Sequence, residues 1–91
     1  MQCEVLILAA TKRELEGVLT KLYEPIQVAG RVVVGVCIGV GKVQSALAAI
    51  QAIDAYAPSF VVLLGYAGAI DASLEIGDGF VATQVVQYDL D

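Results

Sequence analysis

One acidic residue near the start of the chain is open to both a structural and a chemical role. Thr11-Lys12-Arg13-Glu14 has the Thr-x-x-Glu form of a capping box, in which Thr11 begins a helix and Glu14 accepts a hydrogen bond from the cap amide. The same glutamate follows an apolar, strand-like run by one helical turn, so its carboxylate could also face a cleft and polarise a water molecule. Spacing alone favours the capping role, and the two roles compete for one carboxylate.

A glycine-rich segment, Gly39-Val40-Gly41-Lys42, fits neither of the common nucleotide-binding loops. A P-loop needs glycine where Val36 stands and serine or threonine where Val43 stands, and the dinucleotide fingerprint needs glycine in place of Gln44. Two interpretations remain open. The segment is a tight turn from strand to helix, or its backbone approaches a ligand whose anionic or oxygen-rich groups face the amides of a helix N-terminus.

A second such segment, Gly65-Tyr66-Ala67-Gly68-Ala69, consists of small residues apart from Tyr66 and follows the apolar run Phe60 to Leu64. Its backbone is suited either to form a flat wall for an aromatic base or to pack closely against a neighbouring element. Gly77-Asp78 is typical of a turn, so Asp78 is expected to be structural.

Short apolar runs alternate with helical periodicity, which predicts an α/β layered domain in the order β-α-β-β-α-β-β with a largely buried, mixed sheet. The predicted strands are Cys3 to Ala10, Ile26 to Ala29, Arg31 to Ile38, the buried Phe60 to Leu64, and Phe80 to Gln87. Small-molecule sites in such sheets lie beyond the carboxyl ends of the strands. The segments Ala9 to Glu14, Gly39 to Lys42 and Gly65 to Ile70 fit that position.

Two helices are predicted from the spacing of apolar residues. The first runs from Thr11 towards Pro25 and has an apolar face of Leu15, Val18, Leu19 and Leu22. The second runs from Lys42 to about Tyr56 and has an apolar face of Val43, Ala46, Leu47, Ile50 and Ile53.

Composition excludes several classes of protein. The chain has 91 residues, 58% of them hydrophobic and 16% charged, which suits one small domain and neither a disordered segment nor a coiled coil. Its net charge of -5 argues against direct nucleic-acid binding. The longest uncharged stretch, 55–70, contains Pro58 and is too short for a bilayer, and the N-terminus lacks the basic region of a signal peptide. We therefore expect no membrane partner and a cytoplasmic location, with Cys3 and Cys37 reduced and buried.

The side chains required for a zinc site or a histidine-based triad are lacking. The sequence has no histidine, and Cys3 and Cys37 do not have the spacing of metal ligands, so we expect neither a metal site nor a cofactor. A chain this small cannot bury all of its apolar residues, which predicts an obligate oligomer or a piece of something larger.

Taken in order along the chain, these segments resemble the nucleoside phosphorylase and nucleosidase superfamily, most closely its 5′-methylthioadenosine/S-adenosylhomocysteine nucleosidase family. The matching stretches are Ala9 to Leu15, Gly39 to Val43, Pro58 to Ala69, Ile76 to Asp78 and Gln87 to Asp91. The resemblance covers only the N-terminal part of that family's domain, so residues 1–91 are expected to lack the C-terminal part. The stop at Asp91, inside one of the motifs, supports that expectation.

The resemblance implies a three-layer phosphorylase/hydrolase-like fold and hydrolysis of the N-glycosidic bond of a purine nucleoside, in purine and methionine salvage. In the family, a glutamate at the position of Glu14 orients the attacking water, which makes Glu14 the expected catalytic residue. The implied substrate-binding residues are Ala10, Thr11, Val40, Tyr66, Ala67 and Gly68, with Val40 beside the 5′-alkylthio group and the others around the ribose and base. The implied partners are the nucleoside, the missing C-terminal part and a second copy in a homodimer.

Two positions depart from the family pattern. Tyr66 stands where serine or another small residue is common, and Tyr88 replaces a frequent histidine. The family's ribose-binding Met-Glu motif and its catalytic aspartate lie in a later part of the domain, so residues 1–91 alone are expected to be inactive.

Three other functions stay open: a phosphate-dependent phosphorylase, a futalosine hydrolase, and a non-catalytic half-domain that acts only in a complex. A phosphorylase would need a phosphate site, commonly Gly-Asp-Pro-x-Arg near the first strand. This chain has Ala10-Thr11-Lys12-Arg13 there, followed by the carboxylate of Glu14, which would repel a phosphate.

Overall fold

The computed structural model describes residues 2–67 and 72–86. Its elements are β1 (Val5–Ala9), α1 (Lys12–Glu16), β2 (Ile26–Val28), β3 (Arg31–Cys37), α2 (Lys42–Tyr56) and β4 (Phe60–Leu63). Within these residues the strands form a mixed sheet in the order β2-β3-β1-β4, in which β3, β1 and β4 are parallel and β2 is antiparallel to β3. The α/β fold with a mixed sheet, which the sequence predicts, is confirmed.

The core lies on both faces of the two central strands, β1 and β3. On one face, Leu6 and Val34 are fully buried in a cluster that includes Ala52 of α2. On the other face, Val33 packs in a cluster with Leu15 of α1. The sheet between α1 and α2 therefore has the three layers of an α/β domain, and its central strands fix the edge at which the loops emerge.

The turn between β2 and β3 uses two residues with left-handed backbone. Ala29 has φ 51° and Gly30 has φ 80°, while Val28 pairs with Arg31 across the turn. Positive φ at both central residues is the requirement of a type I′ hairpin, whose twist matches the flanking strands. The predicted pair of strands around Gly30 is confirmed, with ends that differ by one residue.

The first helix is shorter than predicted, because α1 ends at Glu16 and Gly17 forms its C-cap. The amide of Val18 donates to the carbonyl of Leu15 at 3.0 Å, which tightens the last turn. The chain then leaves the helical path and follows the sheet, so Leu15 and Leu19 are buried while Val18 is 54% exposed. The predicted continuation towards Pro25, with Val18 on the apolar face, is wrong.

The second helix has the predicted bounds but presents a different face to the sheet. Its packed side consists of Ala52 together with Ala48, Ala49 and Tyr56, whereas Val43 and Ile50 of the predicted apolar face are 84% and 66% exposed. Alanine side chains let the helix backbone approach the sheet closely, so the small face packs and the large face points outward. The apolar face that the spacing predicts is therefore not the face that packs on the sheet; it comprises Val43, Ala46, Leu47, Ile50 and Ile53.

The apolar side chains of β4 and of the segment after it are exposed, although their composition predicts burial. Phe60 and Leu63 are 64% and 73% exposed, because β4 lies at the edge of the described sheet and pairs there only with β1. Residues 80–86 form no strand, and Val81 is 92% exposed, because no neighbouring strand pairs with them in the described part of the chain. The predicted burial of Phe60 to Leu64 is wrong for the residues of β4. The predicted strand Phe80 to Gln87 is wrong for residues 80–86, and Gln87 lies outside the described residues.

Neither α1 nor α2 has the length and hydropathy of a membrane-spanning helix, and no other helix occurs in the described residues. Both cysteines are free thiols. Cys3 is buried, which raises the pKa of its thiol. Cys37 is only half-buried, so the prediction that both thiols are buried is wrong for that residue.

Candidate active site

The carboxyl ends of β3, β1 and β4 meet at one edge of the sheet, because these three neighbouring strands are parallel. Backbone hydrogen bonds join the segments that follow them. The amide of Gly39 donates to the carbonyl of Ala10 at 3.1 Å, and the amide of Leu64 donates to the carbonyl of Leu8 at 2.8 Å. The structure thus brings together the three segments that the sequence places beyond the strand ends, as far as Ala67, where the described part of the third segment stops.

The carboxylate of Glu14 is held from two sides, with a different partner on each oxygen. Its Oε1 accepts hydrogen bonds from the amide of Thr11 at 3.1 Å and from the hydroxyl of Thr11 at 2.8 Å. Its Oε2 accepts a hydrogen bond from the amide of Tyr66 at 3.3 Å. The predicted capping box is confirmed. Oε1 completes the helix cap, while Oε2 faces the end of β4 and takes no part in the cap.

Gly65 provides the space that Glu14 needs at this position. A β-carbon on Gly65 would lie 3.2 Å from Oε2 of Glu14, which is closer than ordinary van der Waals contact. The sequence left open whether this segment forms a flat wall or packs closely against a neighbouring element, and it did not indicate that the close neighbour is Glu14. The signal was the position of a glycine directly after an apolar strand, where a close approach is one of the reasons for glycine.

Beyond the strand ends lies an open, concave surface that contains most of the predicted site residues. Ala10, Glu14, Tyr66 and Ala67 line it, and the side chain of Tyr66 is 76% exposed there. Gly65, from the segment predicted to lie at this edge, also lines the surface. Its other lining residues were not predicted; they are Ile38, Ser45, Val61 to Leu64, Leu74 to Ala82 and Val85.

The other three predicted site residues are placed differently. The hydroxyl of Thr11 is occupied by Glu14 rather than directed at the concave surface. Val40 lies on the loop after β3 with 78% of its surface exposed and is outside the lining of the concave surface. Gly68 lies outside the described residues.

The loop from Gly39 to Lys42 owes its glycines to backbone geometry. Gly39 has φ 81° and Gly41 has φ 106°, both in the region that side chains disfavour. The hydroxyl of Ser45 donates to the carbonyl of Gly39 at 2.9 Å and secures the turn at the start of α2. The interpretation of this segment as a tight turn from strand to helix is confirmed.

A separate hydrogen-bonded turn accounts for Asp78. Its Oδ2 accepts a hydrogen bond from the amide of Glu75 at 2.9 Å, and its own amide donates to the carbonyl of Glu75 at 3.1 Å. The structural role predicted for Asp78 is confirmed. Across residues 2–67 and 72–86, no group of three cysteine or acidic side chains is arranged to hold a metal ion.

Comparisons with known proteins give one consistent family. A family model described as the phosphorylase superfamily matches residues 5–91. The chain is 33% identical over 94 residues to a 5′-methylthioadenosine/S-adenosylhomocysteine nucleosidase of Staphylococcus carnosus, a match that covers 100% of this chain and 41% of the relative. It is 45% identical over 65 residues to the protein of that name from Colwellia psychrerythraea, covering 71% of this chain and 27% of the relative.

A third relative carries a different name. The chain is 44% identical over 52 residues to an aminodeoxyfutalosine nucleosidase of Campylobacter jejuni, covering 57% of this chain and 23% of the relative. No solved structure matches the chain at a comparable level of significance. The chain spans less than half the length of the curated relatives named above. From the match over residues 5–91 and the α/β fold, this chain belongs to the phosphorylase superfamily.

Proposed function

We propose that these residues supply the Glu14-bearing part of the active site of a purine nucleosidase, which hydrolyses the N-glycosidic bond of 5′-methylthioadenosine or S-adenosylhomocysteine. The observation that carries the proposal is the position of Glu14. Its carboxylate is half-buried at the carboxyl edge of the sheet and is held by the amide of Tyr66 beside an open concave surface.

Such a carboxylate suits the chemistry of glycoside cleavage. Breaking the N-glycosidic bond passes through a state with positive charge on the sugar, resembling an oxocarbenium ion. A carboxylate nearby favours that charge and accepts a proton from the attacking water. We assign this role to Oε2, because Oε1 already accepts two hydrogen bonds from Thr11.

The remaining predicted residues complete the proposal. Ala10 and Ala67 border the nucleoside, and Tyr66 stands beside it. Thr11 acts indirectly, by holding the carboxylate of Glu14 in place. Val40, which is outside the lining of the concave surface in the described residues, and Gly68, which is not among those residues, keep the roles that the resemblance implies: Val40 beside the 5′-alkylthio group and Gly68 beside the ribose and base. The chain spans 41% of the Staphylococcus carnosus relative, so we propose that activity belongs to a full-length cytoplasmic protein in which further residues close the concave surface. Its partners are the nucleoside and a second copy of the chain.

Aminodeoxyfutalosine is a second candidate substrate. The Campylobacter jejuni relative named as its nucleosidase shares 44% identity over 52 residues, which is close to the 45% of the Colwellia psychrerythraea protein. Both substrates would use the same carboxylate on the same type of bond, so Glu14 does not distinguish them.

Product analysis tests the proposal. The full-length protein is incubated with methylthioadenosine, S-adenosylhomocysteine, aminodeoxyfutalosine or inosine, each with and without phosphate. We expect free base and free sugar from one of the first three, at a rate that phosphate does not change. Phosphate-dependent release of ribose-1-phosphate would replace the proposal with a phosphorylase. Absence of cleavage with every nucleoside would support a non-catalytic module.

A further inference from the structure

The outer edge of β3 is paired by a strand along its first part and by a single tyrosine along its last part. In the described residues, the pairing of β2 with β3 ends at Val33. Beyond that point the amide of Tyr23 donates to the carbonyl of Gly35 at 2.9 Å. The hydroxyl of Tyr23 accepts a hydrogen bond from the amide of Cys37 at 3.3 Å and donates to the carbonyl of Cys37 at 3.4 Å. This side chain therefore takes the place of a strand residue at the carboxyl end of β3.

The backbone of Tyr23 is strained, and its hydrogen bonds offset that strain. Its φ of 62° lies in the left-handed region, which residues with a β-carbon rarely adopt. Its carbonyl accepts a hydrogen bond from the hydroxyl of Tyr56 at 3.1 Å, so the amide, the carbonyl and the hydroxyl of Tyr23 are all bonded. A strained conformation persists only where surrounding contacts fix it. The contact with Cys37 is thus a specific feature of the fold, although Tyr23 is 53% exposed.

The carboxyl end of β3 leads directly into the candidate active site. We define the exit of β3 as residues Cys37 to Gly39. Within it, Ile38 is buried and lines the concave surface, and its amide donates to the carbonyl of Ala9 at 2.8 Å. Strand β1 therefore holds the exit of β3 from one edge, and Tyr23 holds it from the other.

We propose that Tyr23 is a positioning residue for the nucleoside: it fixes the exit of β3, and through it the wall formed by Ile38 and the loop that carries Val40. This inference rests on the proposed function and deepens it. Glu14 has its own partners in Thr11 and Tyr66, so the contact made by Tyr23 affects how the substrate is held rather than how the water is activated. Loss of such binding raises KM and leaves kcat unchanged.

Steady-state kinetics of Tyr23→Phe in the full-length protein tests the inference. The variant keeps the ring and removes the hydroxyl. We expect KM for the cleaved nucleoside to rise about three- to tenfold, which corresponds to the net contribution of one hydrogen bond. We expect kcat to change by less than about twofold, in contrast to Glu14→Gln, which should lower kcat. Tyr56→Phe is the matched control, because it removes a hydroxyl that bonds to Tyr23 and not to Cys37, and it should retain the wild-type KM.

Hydrogen exchange of the Cys37 amide, followed without substrate, measures the contact itself. In Tyr23→Phe this amide loses its acceptor, so its exchange should be about three- to tenfold faster, whereas in Tyr56→Phe it should match the wild type. An active wild type combined with an unchanged KM or unchanged Cys37 exchange in Tyr23→Phe would overturn this inference and leave the proposed function standing. An equal rise of KM in both variants would do the same, because it would indicate general loosening. A wild type that cleaves no nucleoside would overturn the proposed function and this inference with it.

Discussion

One half of this domain is closed and the other is open. The closed half comprises β1, β3 and the helix faces that pack on them. The open half comprises β4 and residues 64–67 and 72–86. Both halves are rich in aliphatic residues. In the closed half Leu6 and Val34 have no exposed surface, whereas in the open half Leu63 and Val81 are 73% and 92% exposed. Residue type therefore determines which segments are suited to burial, and the presence of neighbouring elements determines which segments are buried.

Glu14 joins the two halves, and its substitution is expected to have the largest effect. The residue belongs to α1 of the closed half, and its Oε2 accepts the amide of Tyr66 in the open half. Under the proposed function, Glu14→Gln in the full-length protein removes the group that accepts the proton from water and should lower turnover by about 10²- to 10⁴-fold. Steady-state kinetics measures this loss, and KM should change little.

The same variant distinguishes catalysis from capping. The carboxamide oxygen of glutamine can still accept the hydrogen bonds from Thr11, so the loss of folding stability should stay below about 1 kcal/mol. Glu16→Gln, on the exposed side of the same helix, serves as the control and should retain both turnover and melting temperature. Unchanged turnover of Glu14→Gln combined with a lower melting temperature would leave Glu14 with its capping role only.

The same substitution, leucine to alanine, in each half compares how much a buried and an exposed side chain contribute to the free energy of unfolding. Leu6→Ala removes a fully buried side chain and should lower the free energy of unfolding by about 3 to 4 kcal/mol. Leu63→Ala removes a side chain that is 73% exposed, so in residues 1–91 alone it should cost less than about 1 kcal/mol. Denaturant unfolding of both variants gives the two values. An equal cost at both positions in the full-length protein would mean that β4 is covered there, and the open half would then be closed.

Local features of the fold were predictable because they depend on neighbouring residues in the chain. The presence of a turn at Gly30, the tight turn at Gly39 and the capping box of Thr11 each follow from a few side chains and their backbone preferences. The bounds of α2 follow in the same way, since a glycine precedes it and Pro58 follows it closely. The common edge of the three loops also followed, because parallel strands must end on the same side.

The orientation of α2 could not be derived from periodicity, because the helix has two apolar faces. One consists mainly of alanine and the other of larger aliphatic residues, and both repeat at three and four positions. Contact distance decides between them, since small side chains allow the helix to lie closer to the sheet. Hydrophobicity, which ranks Val43 and Ile50 above Ala48 and Ala52, favours the wrong face.

The geometry of the candidate site was predictable only in part, because its contacts join residues that are far apart in the sequence. Glu14 and Tyr66 are 52 positions apart, and their hydrogen bond depends on the pairing of β1 with β4. The sequence indicated that both lie beyond strand ends, but it did not indicate that the two oxygens of Glu14 have different partners. The space left by Gly65 likewise became apparent only from the position of Oε2.

The smallest expected effect lies in the hairpin at the far side of the closed half from β4. Ala29 adopts φ 51°, where its β-carbon is strained, and it makes a two-residue turn with Gly30. Ala29→Asn should raise the free energy of unfolding by about 0.5 to 1 kcal/mol, because asparagine tolerates left-handed backbone and Asn-Gly is a preferred type I′ sequence. Ala29→Val should have the opposite sign, since a β-branched residue is disfavoured at positive φ. Thermal melts of both variants check the pair. A stabilising valine or a destabilising asparagine would contradict the left-handed conformation of residue 29, and with it the register that joins β2 to the closed half.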